Sequence, residues 1–166
     1  MPSSKPNSLS PTSTDPPRII RADPTDPTVA ELLYTAIGGD PSRLTAAREN
    51  YRTNCATVLL ALIAHAHPIG IAGYELNHTT ITLRHIATAA QHRRTGTARH
   101  LLTEIRSRHP NSDLTAETDA DSLPFYLAIG FTATSLGEKY PGTERFRVHL
   151  PGLQPNDSPP PPSREP

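Results

Sequence analysis

The sequence predicts a mixed α/β (α+β) domain, one central mixed sheet with helices on both faces. Three observations carry that reading. Val58-Leu59-Leu60-Ala61-Leu62-Ile63-Ala64 is an unbroken apolar run, far short of the roughly 20 residues that cross a bilayer, and reads as a buried strand. Ile81-Thr82-Leu83-Arg84-His85-Ile86 alternates with the two-residue period of a strand. Ala98, Leu101, Leu102 and Ile105 then recur at i, i+3, i+4 and i+7, which marks one buried helix face.

In chain order, Arg18 to Ala22 is a short strand ended by Asp23-Pro24. Thr28 to Ile37 is a helix with Val29, Leu32, Leu33 and Ala36 inward, stopped by Gly38-Gly39. Asp40 and Pro41 suit the N-cap and first position of a second helix to about Tyr51. Strands follow at 56–64 and 69–76, joined by a turn around His65–Pro68, and Asn77-His78 turns into a strand at 80–87. A helix over 95–108 ends before Pro110, and Leu114 to Thr118 is a strand. Asp121 or Ser122 caps a helix to Ile129, with Pro124 harmless in its first turn and Gly130 closing it. Strands at 131–134 and 145–150 complete the order βααβββαβαββ, with 134–145 left as a loop.

Residues 1–17 are dominated by Pro, Ser and Thr, and 151–166 include four consecutive prolines, so both ends are expected to be disordered tails around a domain at 18–150. At 166 residues there is room for one such domain with its own core. The formal net charge is zero and the arginines are scattered, which argues against nucleic-acid or membrane partners. One cysteine, Cys55, excludes an internal disulfide and suits a reducing compartment. The N-terminus lacks a signal-peptide core, so the expected location is cytoplasmic. Cys55 opens the apolar strand and is expected as a buried small hydrophobe rather than an acetyl-carrying nucleophile. His65 and His67 on one strand face would make half a metal site, but no Cys or carboxylate stands close in sequence to complete it, so a turn is expected there and no metal.

Arg93-Arg94-Thr95-Gly96-Thr97-Ala98-Arg99 holds the chemistry. A strand, a tight small-residue turn and a helix start leave backbone N–H groups without partners, and the helix dipole makes that concavity an anion site. Flanking Arg93, Arg94 and Arg99 point to phosphate or pyrophosphate; the plain alternative, a solvated helix start, leaves the small residues unexplained.

Leu83-Arg84-His85-Ile86-Ala87 followed by Arg93-x-x-Gly96-x-Ala98-x-x-Leu101-Leu102 resembles the acetyl-CoA-binding segment of the GNAT superfamily of N-acetyltransferases. Glu117-Thr118, then Phe125-Tyr126-x-x-x-Gly130-Phe131, resembles that family's second characteristic segment, and Lys139 to Phe146 is similar to endings of uncharacterised bacterial members. The resemblance implies the GNAT acyl-CoA N-acyltransferase fold over nearly all of 18–150. It implies that backbone groups of Ile86 and Thr88, flanking Ala87, meet the pantetheine arm. The amides of Arg94, Thr95, Gly96, Thr97, Ala98 and Arg99 would hold the pyrophosphate beside Arg93. Gly96 would be needed because a side chain would collide with the phosphate. Asp119 and Phe125 would border the CoA pocket, and Tyr126 matches the tyrosine that faces the thioester sulfur.

The implied activity is acetyl transfer from acetyl-CoA, as co-substrate, to a primary amine of a small molecule, peptide or protein. Such transfer needs a neutral amine, a stabilised oxyanion and a protonated leaving thiolate. Backbone N–H groups around Ile86–Thr88 suit the second need and the Tyr126 phenol the third. For the base this chain departs from the family. Thr82 stands where many relatives carry an acid, which leaves Glu75, His85 and Glu117. Asp119 replaces a family asparagine and Ser122 a family alanine. Two plainer readings stay open: Tyr126 as a core tyrosine beside Phe125 and Phe131, and His85 as a hydrogen-bonded strand histidine. The competing function is an acetyl-CoA-binding sensor or interaction module without turnover. Glu138, Tyr140 and Glu144 in the 134–145 loop would attract a cationic amine. Glu104 and Arg108 form a solvated pair, and the chain is expected to be a monomer or a homodimer paired through an exposed last strand.

Overall fold

A computed structural model describes residues 15–153, apart from the side chains of residues 139 and 140. The expected tails therefore lie largely outside the described residues. The chain runs β1 (Arg18–Arg21), α1 (Pro27–Ala36), α2 (Pro41–Thr53), β2 (Thr57–Ala64), β3 (His67–Asn77) and β4 (Thr80–Thr88). It continues with α3 (Thr97–Arg108), β5 (Asp113–Asp119), α4 (Leu123–Ala128), β6 (Thr132–Tyr140) and β7 (Thr143–Leu150). A single turn of 3-10 helix at Ala90–His92 precedes α3. The strands form one sheet in the order β1-β2-β3-β4-β5-β7-β6. Every pairing is antiparallel except β4 with β5. The mixed sheet with helices on both faces is the fold class the sequence predicts.

Each face has its own core. Val29, Leu32 and Leu33 of α1 and Tyr51 of α2 pack with Leu59, Ala61 and Ile71. On the other face Leu101, Leu102 and Ile105 of α3 and Tyr126 of α4 pack with Leu60, Leu62, Tyr74, Ile81 and Val148. A fully buried side chain such as Leu33 contributes about 1.5–3 kcal/mol of apolar transfer. Asp40 caps α2 as expected, accepting from the N–H groups of Ser42 and Arg43, and Asp26 caps α1, accepting from those of Thr28 and Val29. Each is worth about 1 kcal/mol.

Two irregularities shape the centre. Gly73 pairs with His85 and Tyr74 with Leu83, so Arg84 is an extra, bulged residue of β4. The bulge reverses which side chains face which core: Leu83 lies with the α3 core, whereas Ala87 packs with the α1 core. Further, β4 pairs with β5 only at Thr80, Ile81 and Thr82, opposite Asp113, Leu114 and Thr115. Beyond Thr82 the two strands part.

Three expectations are corrected. Cys55 is exposed, because Asn54 builds a turn whose side chain accepts from the Ala56 N–H, and β2 starts only at Thr57. The turn expected around His65–Pro68 is present. His65 and Ala66 are the two turn residues of the β2–β3 hairpin, with φ of 49° and 65°, the positive values that tight hairpins require. Residues 134–145 are not a loop but a hairpin, β6 continuing to Tyr140 and β7 starting at Thr143. β6 is exposed from Thr132 to Glu138, so no apolar alternation announces it. The last strand is not exposed for pairing: β7 lies between β5 and β6, and the edges are β1 and β6. Glu104 and Arg108 do pair, at 2.8 Å. Residues 151–153 extend the ordered unit, since Gly152 donates to Asp113 Oδ1 and Leu153 to the Pro110 carbonyl. No helix among the described residues is long and apolar enough to cross a membrane.

Candidate active site

The parting of β4 and β5 opens a cleft through the sheet. Its β4 wall keeps hydrogen bonding to β3 as far as Thr88, and its β5 wall keeps bonding to β7 as far as Asp119. The facing edges carry backbone groups without a strand partner, which a ligand can satisfy. A cavity of about 530 Å³ fills this cleft. His85, Ile86, Ala87 and Thr88 line it from β4, and Glu117 and Asp119 from β5. Phe125 and Tyr126 line it from α4, and Arg93 and Ala98 stand at the α3 end.

Gly96 is the N-cap of α3 with φ of 85°, and no side chain caps the helix start. Arg94 before it is also left-handed, with φ of 62°. This alternation aims consecutive amides outward, as in anion-binding nests. A Cβ at Gly96 would meet nothing within 4 Å. The glycine thus serves its backbone conformation and leaves open space over the amides. Thr95 Oγ1 donates to the His92 carbonyl and stands 3.0 Å from Thr97 Oγ1, which braces the turn. The Thr97 side chain is buried against β3, so only its main chain can serve a ligand at this turn. Arg99 lies apart from Arg93, over a separate small groove with Leu102, Ile129 and Phe131.

Tyr126 is buried, edge-on to Phe125 at 5.2 Å and to Phe131 at 5.4 Å, while its ring also borders the cavity. Core packing and cavity lining coexist in this one residue. Burial, helped by the Asp119 carboxylate and opposed by Arg145, pushes its phenol up to about 12. It therefore keeps its proton throughout the neutral range. Asp119 accepts from the Ser122 N–H at 2.9 Å, and this bond holds its carboxyl below the usual range. The aspartate secures the entry to α4.

His85 is tied to Tyr51, whose hydroxyl lies 2.7 Å from its Nδ1. Burial raises the Tyr51 phenol well above its ordinary value, so it keeps its proton and can donate to Nδ1. Burial, then the charge of Arg84, lowers the imidazole below its ordinary value. Tyr51 escapes a sequence reading centred on motifs. Gly73 is the one signal: a glycine inside a strand marks close approach, and a Cβ there would lie within 2 Å of the Tyr51 hydroxyl at 1.9 Å. Glu75 is engaged by Arg84, at 2.5 and 2.9 Å.

A second cavity, of about 840 Å³, opens on the α2 face and shares Leu83, Arg84, Ala116, Glu117 and Arg145 with the first. Glu117 thus stands where the two meet, with Arg147 at 3.7 Å. Arg145 and Arg147 are cleft residues that motif reasoning passes over. Among the described residues no group of three His, Cys, Asp or Glu side chains is placed to hold a metal.

A family profile described as an acetyltransferase (GNAT) domain matches residues 40–142. The ribosomal-protein-S18-alanine N-acetyltransferase of Escherichia coli superposes with a TM-score of 0.68 at 17% identity, over 85% of this chain and 97% of that one. A GNAT family acetyltransferase from Elizabethkingia anophelis, with acetyl-CoA bound, gives 0.63 at 17% identity, over 81% and 97%. An aminoglycoside 6'-N-acetyltransferase complexed with coenzyme A gives 0.66 at 12% identity, over 80% and 96%. No curated protein matches by sequence.

Proposed function

This chain belongs to the GNAT acetyltransferase family, and on that premise we propose that it moves acetyl from acetyl-CoA directly to a primary amine. The observation that carries the reading is the cleft. One strand edge without partners, one uncapped helix start and one buried tyrosine that keeps its proton border a single opening. The fit to acetyl-CoA follows from the same features. The amides of Thr95 to Ala98, with Arg93, suit a pyrophosphate, and the free edge of β4 at Ile86 and Thr88 suits an amide-bearing arm. Acetyl-CoA supplies an activated acyl group as a thioester.

The residues divide the remaining work. N–H groups of β4 past the bulge polarise the acyl carbonyl from fixed positions. Tyr126 holds a proton at Oη for the departing sulfur. Glu117 stands at the junction of the two cavities, and its carboxylate takes the proton that an ammonium acceptor must lose. His85 supports this arrangement through its bond to Tyr51, with Glu117 as the base.

Calorimetry with acetyl-CoA, followed by CoA-release assays over a panel of amines, tests the reading. Tyr126→Phe is expected to lower kcat about 10²–10⁴-fold, with acetyl-CoA affinity within about twofold. Unchanged turnover in that variant removes Tyr126 from the chemistry. Acetyl-CoA binding with no amine acetylated replaces transfer by a non-catalytic binding module.

A further inference from the structure

We infer that the acceptor amine also carries an anionic group, a carboxylate or a phosphate, gripped by arginines on the α2 face of the cleft. The inference rests on the acetyl-transfer reading above and names its substrate class.

The second cavity draws arginines from three elements: Arg43 of α2, Arg84 of β4, and Arg145 and Arg147 of β7. Among the described residues Glu117 is the one carboxylate lining it. Arg84 is held most closely among the described residues, by Glu75. Arg147 stands 3.7 Å from Glu117, and Arg43 stands 3.8 Å from Asp40, whose other oxygen caps α2. Arg145 stands opposite Asp119 on β5, whose carboxyl its charge helps to lower, without a close ion pair among the described residues. The Arg43 and Arg147 side chains are 70% and 59% exposed, so both can reach a ligand.

Two residues apart on β7, Arg145 and Arg147 present to the same side of the sheet. Guanidinium groups converging on one cavity repel each other, and an anion relieves that repulsion while accepting charge-assisted bonds. A compound bearing both charges matches this lining, its ammonium toward Glu117 and its anion toward the arginines. The hairpin acids expected to draw a cationic amine are turned to other work. Glu144 accepts from Ser135 at 2.6 Å, and Glu138 accepts from the Gly142 N–H.

Four acceptors of similar length provide the test: 4-aminobutanoate, 3-aminopropyl phosphate, n-butylamine and 1,4-diaminobutane. With acetyl-CoA saturating, at least one anionic amine is expected to exceed n-butylamine about tenfold or more in kcat/KM, with the diamine lowest. The ratio of carboxylate to phosphate decides between the two anions. In the double variant Arg43→Gln/Arg147→Gln the preference collapses through a higher KM for the anionic amines. Acetyl-CoA affinity and thermal midpoint, measured alongside, report that the fold is kept. Equal or better use of n-butylamine or the diamine overturns the inference and leaves acetyl transfer standing. Acetylation of none of the four by protein that binds acetyl-CoA overturns both.

Discussion

Gly70 lies in β3 beneath the first turn of α3, and replacing it by alanine isolates what holds the phosphate turn in place. A Cβ at this position would lie 2.4 Å from Thr97 Cγ2, 3.2 Å from the Ala87 carbonyl oxygen and 3.4 Å from Leu101 Cδ1. Carbon atoms rest near ~3.5 Å, so about 1 Å of movement must be found. β3 is bonded on both sides and cannot yield cheaply. Thr97 is 4% exposed, and its hydroxyl is held by Thr95. The helix start therefore moves, and the amides around Gly96 move with it.

Overpacking of this kind costs about 1–3 kcal/mol, offset by less than ~1 kcal/mol from the stiffer unfolded chain. Acetyl-CoA affinity is expected to fall about tenfold, or ~1.4 kcal/mol. Thr97→Ser removes the clashing methyl and keeps the hydroxyl bond. Urea unfolding and calorimetric titration of wild type, both single variants and the double variant complete a cycle. The double variant is expected to be less damaged than the sum of its parts by about 1 kcal/mol or more. Additive effects, or a Gly70→Ala protein within ~0.5 kcal/mol of wild type, would refute the argument.

Two further outcomes follow. Gly96→Glu adds a carboxylate over the outward amides as well as left-handed strain, whereas Gly96→Ala adds only strain of about 1–2 kcal/mol. Acetyl-CoA affinity is expected to drop at least about a hundredfold in the first and about tenfold or less in the second, and equal losses would deny an anion site there. His85, with its proton affinity lowered by burial, binds fewer protons folded than unfolded as pH falls below its ordinary value of 6.5. Its stabilising contribution is thus present above that pH and is lost on acidification, at no more than about 1.4 kcal/mol per pH unit. His109 is shifted the same way, so His85→Asn should flatten part of the acid slope in urea midpoints between pH 5 and 6.5. An unchanged slope would show that His85 ionises alike in both states.

The elements were legible because each carries a local signal. Asp26 and Asp40 cap their helices, Gly96 starts α3, and the apolar run at 58–64 is a strand read directly from composition. What stayed hidden depends on partners distant in sequence. Nothing near Arg84 announces a bulge, which arises from the register between β3 and β4. The bond between Tyr51 and His85 joins a helix to a strand 34 residues away. The arginines of the second cavity are scattered along three elements, so a sequence reading sees them only as dispersed charge. The pairing of 135–144 escapes the sequence because the outer strand is exposed from Thr132 to Glu138.

Sheet edges decide how copies of a β-rich chain meet. Here one border is a four-residue strand, and the other, β6, loses regular register between Ser135 and Glu138 and again before Tyr140. Short and kinked borders are poor templates for continuing one sheet into a neighbour's. Fibre-like stacking through either border is thereby disfavoured.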